Sequence, residues 1–235
     1  MNSGIMYKII KRIFDFCASL FALICLSWLL IPVCIILLCT GEHEVFYFQK
    51  RIGLGGKPFD IWKFATMMKN SANMGTGTIT TKNDPRVLPV GKFLRKTKIN
   101  ELPQLINILI GNMSVIGPRP TVQKEFNNLT PEGQAAVAQL KPGLSGVGSI
   151  FFRDEETVIS MAKDPVEFKR LEVQPHKGNL EIWYLKNRSL YVDFMLILIT
   201  AWVVLRPESD ILYKVFPTVP KKDMFKAVEE FNKQH

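Results

Sequence analysis

The sequence predicts an α+β fold that is mostly helical, with an N-terminal re-entrant membrane helix, interfacial helices and a small cytosolic domain that contains little sheet. Three observations support this prediction. Phe16 to Thr40 contains no charged residue and exceeds the roughly 20 residues that a helix needs to cross a bilayer. Apolar residues recur at helical spacing in several later segments. Two aromatic runs flank a glycine-rich turn within residues 44–67, which is where strands are indicated.

The first segment, residues 1–43, is predicted to be a retained membrane anchor, because its apolar run is too long for a signal peptide and lacks a small-residue cleavage site. Pro32 removes a helix hydrogen bond and bends the axis inside this run. Cations flank both ends, so the positive-inside rule assigns no orientation. We therefore expect a helix that enters the bilayer and returns to the same face; a simple spanning helix is the alternative. The flanking cations are Lys8, Lys11, Arg12, Lys50, Arg51 and Lys57.

The chain carries a formal net charge of +9, which indicates an anionic partner such as nucleic acid, anionic lipid or a phosphorylated substrate. All four cysteines lie in the apolar N-terminal run, at spacings unlike those of metal sites, and are predicted to be small buried hydrophobes. The absence of cysteine elsewhere disfavours a disulfide-built secreted fold and favours a domain that faces the cytoplasm.

The aromatic runs in residues 44–67 bracket Gly53, Gly55 and Gly56 and predict either a strand pair or an irregular interfacial platform. Their mixture of aromatic and basic side chains suits a surface of lipid headgroups. The same mixture occurs in RNA-binding sheets, but no ribonucleoprotein signature follows it, so nucleic acid is not a predicted partner. Residues 69–83 are small and polar and predict a loop. A cationic side follows, formed by Arg86, Lys92, Arg95, Lys96 and Lys98.

The central stretch, residues 94–120, combines cations, a carboxylate and a rigid Pro-Arg-Pro, which indicates an anion-handling site. Asn100 is a good helix N-cap, Glu101 falls in the first turn, and Gly111 ends the helix. The helix dipole stabilises the charged form of a carboxylate at this position. The alternative is that Asn100 and Glu101 only cap a core helix. An apolar stripe is predicted to dock this helix on the core and consists of Leu102, Leu105, Ile106, Leu109 and Ile110.

The next segment predicts a helix within residues 121–140 that is broken at Pro131, followed by a turn at residues 142–146. Beyond it lies a dense cluster of carboxylates, which is either a charged helix start or an additional metal or substrate site. The members of this cluster are Asp154, Glu155 and Glu156.

The last part of the chain predicts two apolar helices. The run from Phe194 to Leu205 is too short to span a bilayer comfortably and fits a core or interfacial helix. The tail, residues 216–235, is predicted to be amphipathic and to dock on the domain or lie on the bilayer surface. Its apolar stripe consists of Met224, Val228 and Phe231.

Taken in order, the motifs of this chain resemble those of the bacterial sugar transferases, the monotopic phosphoglycosyl transferases that start glycan assembly on polyprenyl phosphate. The resemblance covers nearly the whole chain, and the ordered set is far more specific than any single motif. The motifs are KRIFD at 11–15, FQKRIG at 48–53, GKPF at 56–59, KF-x-TM at 63–67, DPR at 84–86, LRKT-x-x-x-ELPQL-x-N at 94–107 and GPRP at 117–120.

The resemblance implies an enzyme whose residues 44–215 form a sugar transferase domain at the cytoplasmic face of the bacterial inner membrane. Such enzymes move a sugar-1-phosphate from a nucleotide diphosphate sugar, here expected to be a UDP-sugar, to undecaprenyl phosphate and release the nucleoside monophosphate. This reaction initiates the synthesis of polysaccharides such as capsule and exopolysaccharide, or of other glycoconjugates. Mg²⁺ and membrane lipids are expected partners, and a homo-oligomer is left open.

The resemblance also assigns roles to individual residues. Glu101 corresponds to the glutamate of the family's Asp-Glu pair and is the expected Mg²⁺ ligand. Arg119 is the expected phosphate clamp, because a guanidinium can bind two phosphate oxygens and the flanking prolines restrict the backbone; the alternative is a structural turn arginine. Lys63, Arg86 and Arg95 are expected to be further phosphate or structural contacts.

Several positions depart from the family pattern. Asn100 stands where the family has its nucleophilic aspartate, and an amide cannot supply the carboxylate of covalent catalysis. Ala65 replaces an arginine, and Asn112 replaces an acidic residue. The Ser-Pro that bends the family's membrane helix is represented by Ser27 alone, so the bend is expected at Pro32.

Three hypotheses follow from the departure at Asn100. In the first, Glu101 or a carboxylate of the 154–156 cluster replaces the missing aspartate. In the second, polyprenyl phosphate attacks the sugar diphosphate directly, without a covalent intermediate. In the third, the chain is a catalytically inactive membrane homologue that binds polyprenyl phosphate or a partner transferase.

Overall fold

The computed structural model describes residues 3–74 and 84–234, which are mostly helical with two small sheets. Residues 75–83 of the predicted loop lie outside this description. The chain divides into two compact units. The C-terminal unit comprises Met1–Ile13, Arg51–Phe59 and Asn112–His235, and the central unit comprises Phe14–Lys50 and Asp60–Gly111. The predicted division into 1–43, 44–215 and 216–235 stays a prediction.

The N-terminal residues form one helix, α1 (Ser3–Cys39), which runs through Ser27 and Pro32 without interruption. Its stretch Gly4–Cys39 is long and apolar enough to cross a membrane, by length and composition, and is the one such stretch in the described residues. Because a helix of this size extends about 55 Å, it exceeds the hydrocarbon thickness of a bilayer, about 30 Å. The re-entrant path stays a prediction.

The prediction that the four cysteines are buried is wrong. Cys34 is half-buried, and the other three cysteines are exposed. The reason is that much of the apolar surface of α1 faces outward, as the exposed side chains of Phe21 and Trp28 also show. An exposed apolar surface of this kind is consistent with the membrane-associated helix that the sequence predicts.

The central unit contains short helices, most of a strand pair and a small apolar core. The strands β1 (Phe46–Ile52) and β2 (Pro58–Phe64) pair with each other, which confirms the strand-pair interpretation. They are joined by a 3-10 turn in which Gly55 and Gly56 have φ of 72° and 70°, a backbone region that favours glycine. The core of this unit is formed by Val33, Leu37, Phe64 and Leu94.

The helices of the central unit are α2 (Pro89–Lys96) and α3 (Gln104–Ile110). The prediction that α3 begins at Asn100 is wrong, because Ile99–Glu101 forms a separate 3-10 turn. The cause is Pro103, which has no N–H to donate back to Ile99 and so interrupts the α-helical bonding pattern. The predicted stop at Gly111 is confirmed by its φ of 96°.

The predicted apolar stripe of α3 is only partly buried. Leu105 is buried, but Ile106 and Leu109 are half-buried and Ile110 is 57% exposed. The buried face instead includes the amide side chains of Gln104 and Asn107. Hydrophobic periodicity missed this face, because buried amides that form hydrogen bonds are not apolar.

The C-terminal unit contains a parallel strand pair, β3 (Ser114–Ile116) and β4 (Gly143–Ser145). The predicted turn at residues 142–146 is therefore wrong, because most of it is strand. Glycine makes this pairing possible: a Cβ on Gly143 would lie 2.1 Å from the backbone nitrogen of Gly117. Tight backbone packing, and not a turn, explains the glycines here.

Helices form the rest of the C-terminal unit. Pro131 begins α5, so the predicted break is confirmed, and the acidic cluster begins α7 as predicted. Met224, Val228 and Phe231 are buried in the core of the unit, which confirms docking of the tail on the domain. The helices are α4 (Gln123–Asn127), α5 (Pro131–Ala138), α6 (Val147–Phe151), α7 (Glu155–Ser160), α8 (Pro165–Phe168), α9 (Gln174–Asn187), α10 (Leu190–Leu205), α11 (Ile211–Val215) and α12 (Met224–Gln234).

Candidate functional site

An ion pair joins two of the predicted site residues in the central unit. Glu101 lies at the end of the 3-10 turn that precedes α3, and Lys63 lies in β2. The Lys63 Nζ atom is 3.2 Å from Glu101 Oε1, and the two side chains are 19% and 18% exposed. The pair is thus accessible to a ligand, yet screened from water more than a surface pair would be. It places one carboxylate and one cation within reach of the same phosphate.

Asn100 precedes this glutamate and is buried, with 7% exposure. Its side chain caps no helix, and its Oδ1 atom has no hydrogen-bond partner among the described residues. A buried acceptor without a partner costs roughly 1–3 kcal/mol. An oxygen of this kind next to a carboxylate is the type of donor that a hard cation uses. The neutral amide itself is not a nucleophile.

Arg86 is held in a structural role within the central unit. Its Nε and Nη2 atoms donate to Asp84 Oδ1 and Oδ2 at 2.9 and 2.5 Å. Its Nη1 atom donates to the carbonyl oxygens of Ser71 and Met74 at 2.8 and 2.7 Å. The side chain is 5% exposed. These contacts favour the structural alternative for Arg86 over a phosphate contact, and they exclude it from the exposed cationic side.

The other predicted cations of the central unit lie on or near α2. Arg95 is half-buried, whereas Lys92, Lys96 and Lys98 are exposed. A face of this kind can attract anions, and it can equally be a solvated helix surface. The structure therefore leaves both interpretations of Arg95 open.

Arg119 belongs to the C-terminal unit, where it is exposed between two buried prolines. Both prolines are held through their carbonyl oxygens. Gly143 N donates to Pro118 O at 2.7 Å, and Arg51 Nη1 donates to Pro120 O at 3.2 Å. The guanidinium of Arg119 is thus presented on a backbone that is fixed on both sides, which suits a phosphate clamp.

The contact from Arg51 explains the FQKRIG motif, whose role the sequence left unassigned. Besides the bond from Arg51, the backbone N–H of Ile52 donates to Thr121 O at 2.9 Å. The motif therefore supports the segment that follows GPRP. Sequence reasoning counted Arg51 as a cation that flanks the membrane segment and as part of a basic and aromatic surface suited to lipid headgroups. The signal available for its contact with Pro120 was the presence of FQKRIG and GPRP in the same chain.

The acidic cluster of the C-terminal unit is divided by its surroundings. Asp154 and Glu156 are exposed, but Glu155 is paired with Lys177 at 2.7 Å. Burial lowers the pKa of Lys177, which this pairing opposes. The described residues contain no group of three His, Cys, Asp or Glu side chains arranged to hold a metal ion. The cluster begins α7, and its Glu155 forms an ion pair; an additional metal or substrate role stays a prediction.

The order of these motifs is matched by a family profile. The profile described as bacterial sugar transferase matches residues 6–207, which includes every site residue discussed above. The chain belongs to the bacterial sugar transferase family. The matched range of this sugar transferase contains Glu101, Arg119 and Asn100.

Named relatives place this sugar transferase more closely. It is 34% identical to the uncharacterized sugar transferase EpsL of Bacillus subtilis over 202 residues, which cover 86% of this chain and 90% of EpsL. It is 32% identical over 200 residues to the UDP-glucose:undecaprenyl-phosphate glucose-1-phosphate transferase of Klebsiella pneumoniae, covering 83% of this chain and 40% of the relative. It is also 32% identical over 216 residues to the undecaprenyl-phosphate galactose phosphotransferase of Salmonella typhimurium, covering 86% and 42%. The chain spans about two fifths of the length of these last two relatives.

Proposed function

We propose that this membrane-associated sugar transferase moves a sugar-1-phosphate from a UDP-sugar to undecaprenyl phosphate and so initiates the synthesis of a polysaccharide or glycoconjugate. The observation that carries the proposal is the contact between Lys63 and Glu101, because it joins a cation from the KF-x-TM motif to a carboxylate from the ELPQL motif. The Klebsiella and Salmonella relatives are named for this reaction type. The inactive alternative is not favoured, because the named relatives are transferases.

The reaction exchanges one phosphoanhydride bond for another. An oxygen of undecaprenyl phosphate ends bonded to the phosphorus that carries the sugar, and the bond from that phosphorus to the bridging oxygen breaks. Uridine monophosphate leaves with the electron pair of that bond, and the sugar remains linked to the lipid through a diphosphate. Both substrates are anions, so cations must offset their repulsion. Lys63 and the exposed Arg119 are the cations that we assign to this task, each within its own unit.

Asn100 limits the choice of nucleophile to two groups. Because an amide cannot form the covalent phosphosugar, either Glu101 takes the missing role or undecaprenyl phosphate attacks directly. Steady-state kinetics with both substrates distinguishes these two mechanisms. A ping-pong pattern with a phosphosugar adduct on Glu101 would establish the first mechanism, and a sequential pattern without an adduct would establish the second.

Mg²⁺ fits the residues present. Glu101 supplies a carboxylate, and the buried Oδ1 atom of Asn100 is an oxygen donor without a partner among the described side chains. Mg²⁺ in phosphoryl-transfer enzymes is commonly held by one or two protein oxygens and completed by substrate phosphates and water. When bound there, the ion would neutralise charge that develops on the phosphate oxygens. The residues that would hold it are Glu101 and Asn100.

The experiment that tests the function combines purified protein, radiolabelled UDP-sugars and undecaprenyl phosphate in detergent. We expect labelled lipid and an equal amount of uridine monophosphate. Glu101→Gln should reduce the rate by at least about 100-fold, because the carboxylate is lost while the shape is kept. Glu132→Gln is the matched control, since Glu132 is an exposed residue in the first turn of α5. Full activity of Glu101→Gln would exclude Glu101, and no turnover of any UDP-sugar by the wild type would refute the function.

We further propose that α1 enters the inner membrane and returns to the cytoplasmic face. Supporting this are the cations at both ends of the apolar run and Pro32 within it. A chain without its native cysteines can carry Gly4→Cys, where a Cβ meets nothing within 4 Å, or Lys57→Cys on the exposed hairpin turn. Both should react with an impermeant thiol reagent only after the inner membrane is opened. Labelling of position 4 from outside intact cells would establish a spanning helix.

A further inference from the structure

We infer that Asn107 is a positioning residue that holds Lys63 opposite Glu101, an inference that rests on the proposed function. Asn107 lies in α3 and is completely buried. Its Oδ1 atom accepts a hydrogen bond from the backbone N–H of Trp62 at 2.9 Å, and its Nδ2 atom donates to the carbonyl oxygen of Asp60 at 2.8 Å. Both ends of the amide are therefore bonded to the strand that carries Lys63.

The geometry of these two bonds determines the register of the strand. The N–H and C=O groups of alternate residues in a strand point to the same side, so Asp60 and Trp62 face Asn107 together. A side-chain amide that accepts from one and donates to the other takes the place of a peptide group in a neighbouring parallel strand. Because both bonds are used, the strand cannot slide along α3 without breaking at least one.

The register at Trp62 determines where the next residue lies. Lys63 follows directly in β2, while Glu101 lies in the turn that leads into α3. Leu102 connects that turn to the helix, because its carbonyl oxygen accepts from Leu105 N at 3.0 Å. A slip of one residue moves a strand by about 3.3 Å. Such a slip is as large as the contact between Lys63 and Glu101 and would abolish it.

A double-mutant cycle separates this role from ordinary core stability. The proposal expects Asn107→Ala to reduce kcat of sugar-phosphate transfer by about 10- to 100-fold, because small misplacements of reacting groups cost that much. In a Lys63→Ala background, the same substitution should cost less than about 3-fold, because the group that it positions is already absent. Multiplicative losses in the double variant would overturn the proposal.

Asn232 provides a matched control in the C-terminal unit. Its Oδ1 atom accepts from Lys163 N at 2.8 Å and its Nδ2 atom donates to Met161 O at 2.9 Å, so it forms the same two kinds of bond. Asn232→Ala should leave kcat and its dependence on Lys63 unchanged. If Asn232→Ala lowers kcat as much as Asn107→Ala does, the loss of any such pair of amide hydrogen bonds lowers activity. That result would overturn a positioning role for Asn107.

A second measurement keeps the inference separate from the proposed function. The labelling rate of Lys63 by an amine reagent, measured by peptide mass spectrometry, should rise severalfold in Asn107→Ala and remain unchanged in Asn232→Ala. If the wild type turns over no UDP-sugar, the function fails and this labelling still tests the positioning. Unchanged labelling of Lys63 would overturn the inference. If Asn107→Ala does not fold, Asn107→Leu takes its place, since it has nearly the same volume and adds no charge but removes both bonds to the strand.

Discussion

Arg86 and Arg119 each follow a proline, but one is buried and the other is exposed. Arg86 is buried, and its guanidinium is bonded to the carboxylate of Asp84 and to the carbonyl oxygens of two further residues. Arg119 is exposed, while the prolines on both sides of it are buried and held by backbone contacts. In the first case the side chain stabilises the backbone. In the second case the backbone presents the side chain.

The difference between them indicates that a carboxylate close in sequence can commit an arginine to a structural role. Asp84 lies only two positions before Arg86. Both of its carboxylate oxygens can therefore accept hydrogen bonds from the guanidinium without bringing distant parts of the chain together. The sequence from Val115 to Gln123, around Arg119, contains no acidic residue. An exposed arginine between two buried prolines with bonded carbonyl oxygens is the better candidate for a phosphate ligand.

The largest effect that the comparison predicts is on stability at Arg86. Arg86→Ala leaves the buried carboxylate of Asp84 without its partner, and we expect the melting temperature in detergent to fall on the order of 10 °C. Arg153→Ala is the matched control, because Arg153 also pairs with a neighbouring aspartate but near the surface. It should change the melting temperature by less than about 2 °C. Equal shifts for the two variants would remove the distinction that we draw from burial.

At Arg119 we expect a substitution to reduce activity but to leave stability unchanged. Arg119→Ala should lower kcat/KM by about 100- to 1,000-fold, as the loss of a charge-stabilising donor commonly does, and should leave the melting temperature within about 2 °C. Arg119→Lys keeps the charge but loses the fork and should recover part of the rate. A large drop in melting temperature for Arg119→Ala would place Arg119 in the same structural class as Arg86.

A buried carboxylate of the C-terminal unit, Glu181, extends the comparison, because it differs from Asp84 in having, among the described residues, no arginine bonded to both oxygens. Glu181 is 5% exposed, and its Oε2 atom has no hydrogen-bond partner in the described part of the chain. Burial raises the pKa of Glu181 from 4.5 to about 8. The folded state therefore keeps a proton that the unfolded state loses, and this contribution to stability is present below pH 4.5 and is lost as pH rises through 8.

The pH dependence is best measured between pH 6.5 and 8. Burial lowers the pKa of His176 from 6.5 to about 4, so His176 contributes stability above pH 6.5 that is lost as pH falls through 4. The two groups therefore act in opposite directions below pH 6.5. Between pH 6.5 and 8, the unfolding free energy of the wild type should decrease by about 2 kcal/mol more than that of Glu181→Gln. Parallel pH profiles of the two proteins would contradict the raised pKa of Glu181.

Local signals explain which elements could be predicted from sequence. The break at Pro131, the stop at Gly111 and the apolar stripe of the tail each depend on residues within a few positions of one another. Such signals act through backbone dihedrals, missing N–H groups and helical periodicity, which a sequence displays directly. The strand pair around Gly55 was likewise indicated by its turn.

Elements that depend on distant partners were missed or assigned wrongly. The parallel pairing of β3 with β4 joins segments on both sides of α4 and α5, so its glycines looked like a turn. Asn107 acts on residues 45 and 47 positions away, and nothing near it in the sequence identifies those partners. Arg51 contacts Pro120, which is 69 positions away.

The sequence by itself determined the apolar anchor, the mostly helical composition and the family, because each depends on the order of residues alone. It also identified Glu101 and Arg119 as the residues to examine. Only the tertiary structure decided that Lys63 pairs with Glu101, that Arg86 is committed to Asp84, and that Asn100 is buried with an oxygen that has no partner among the described residues. The physical reason is that burial and hydrogen bonding between distant segments set the charge and access of a side chain, and those are properties of the folded chain.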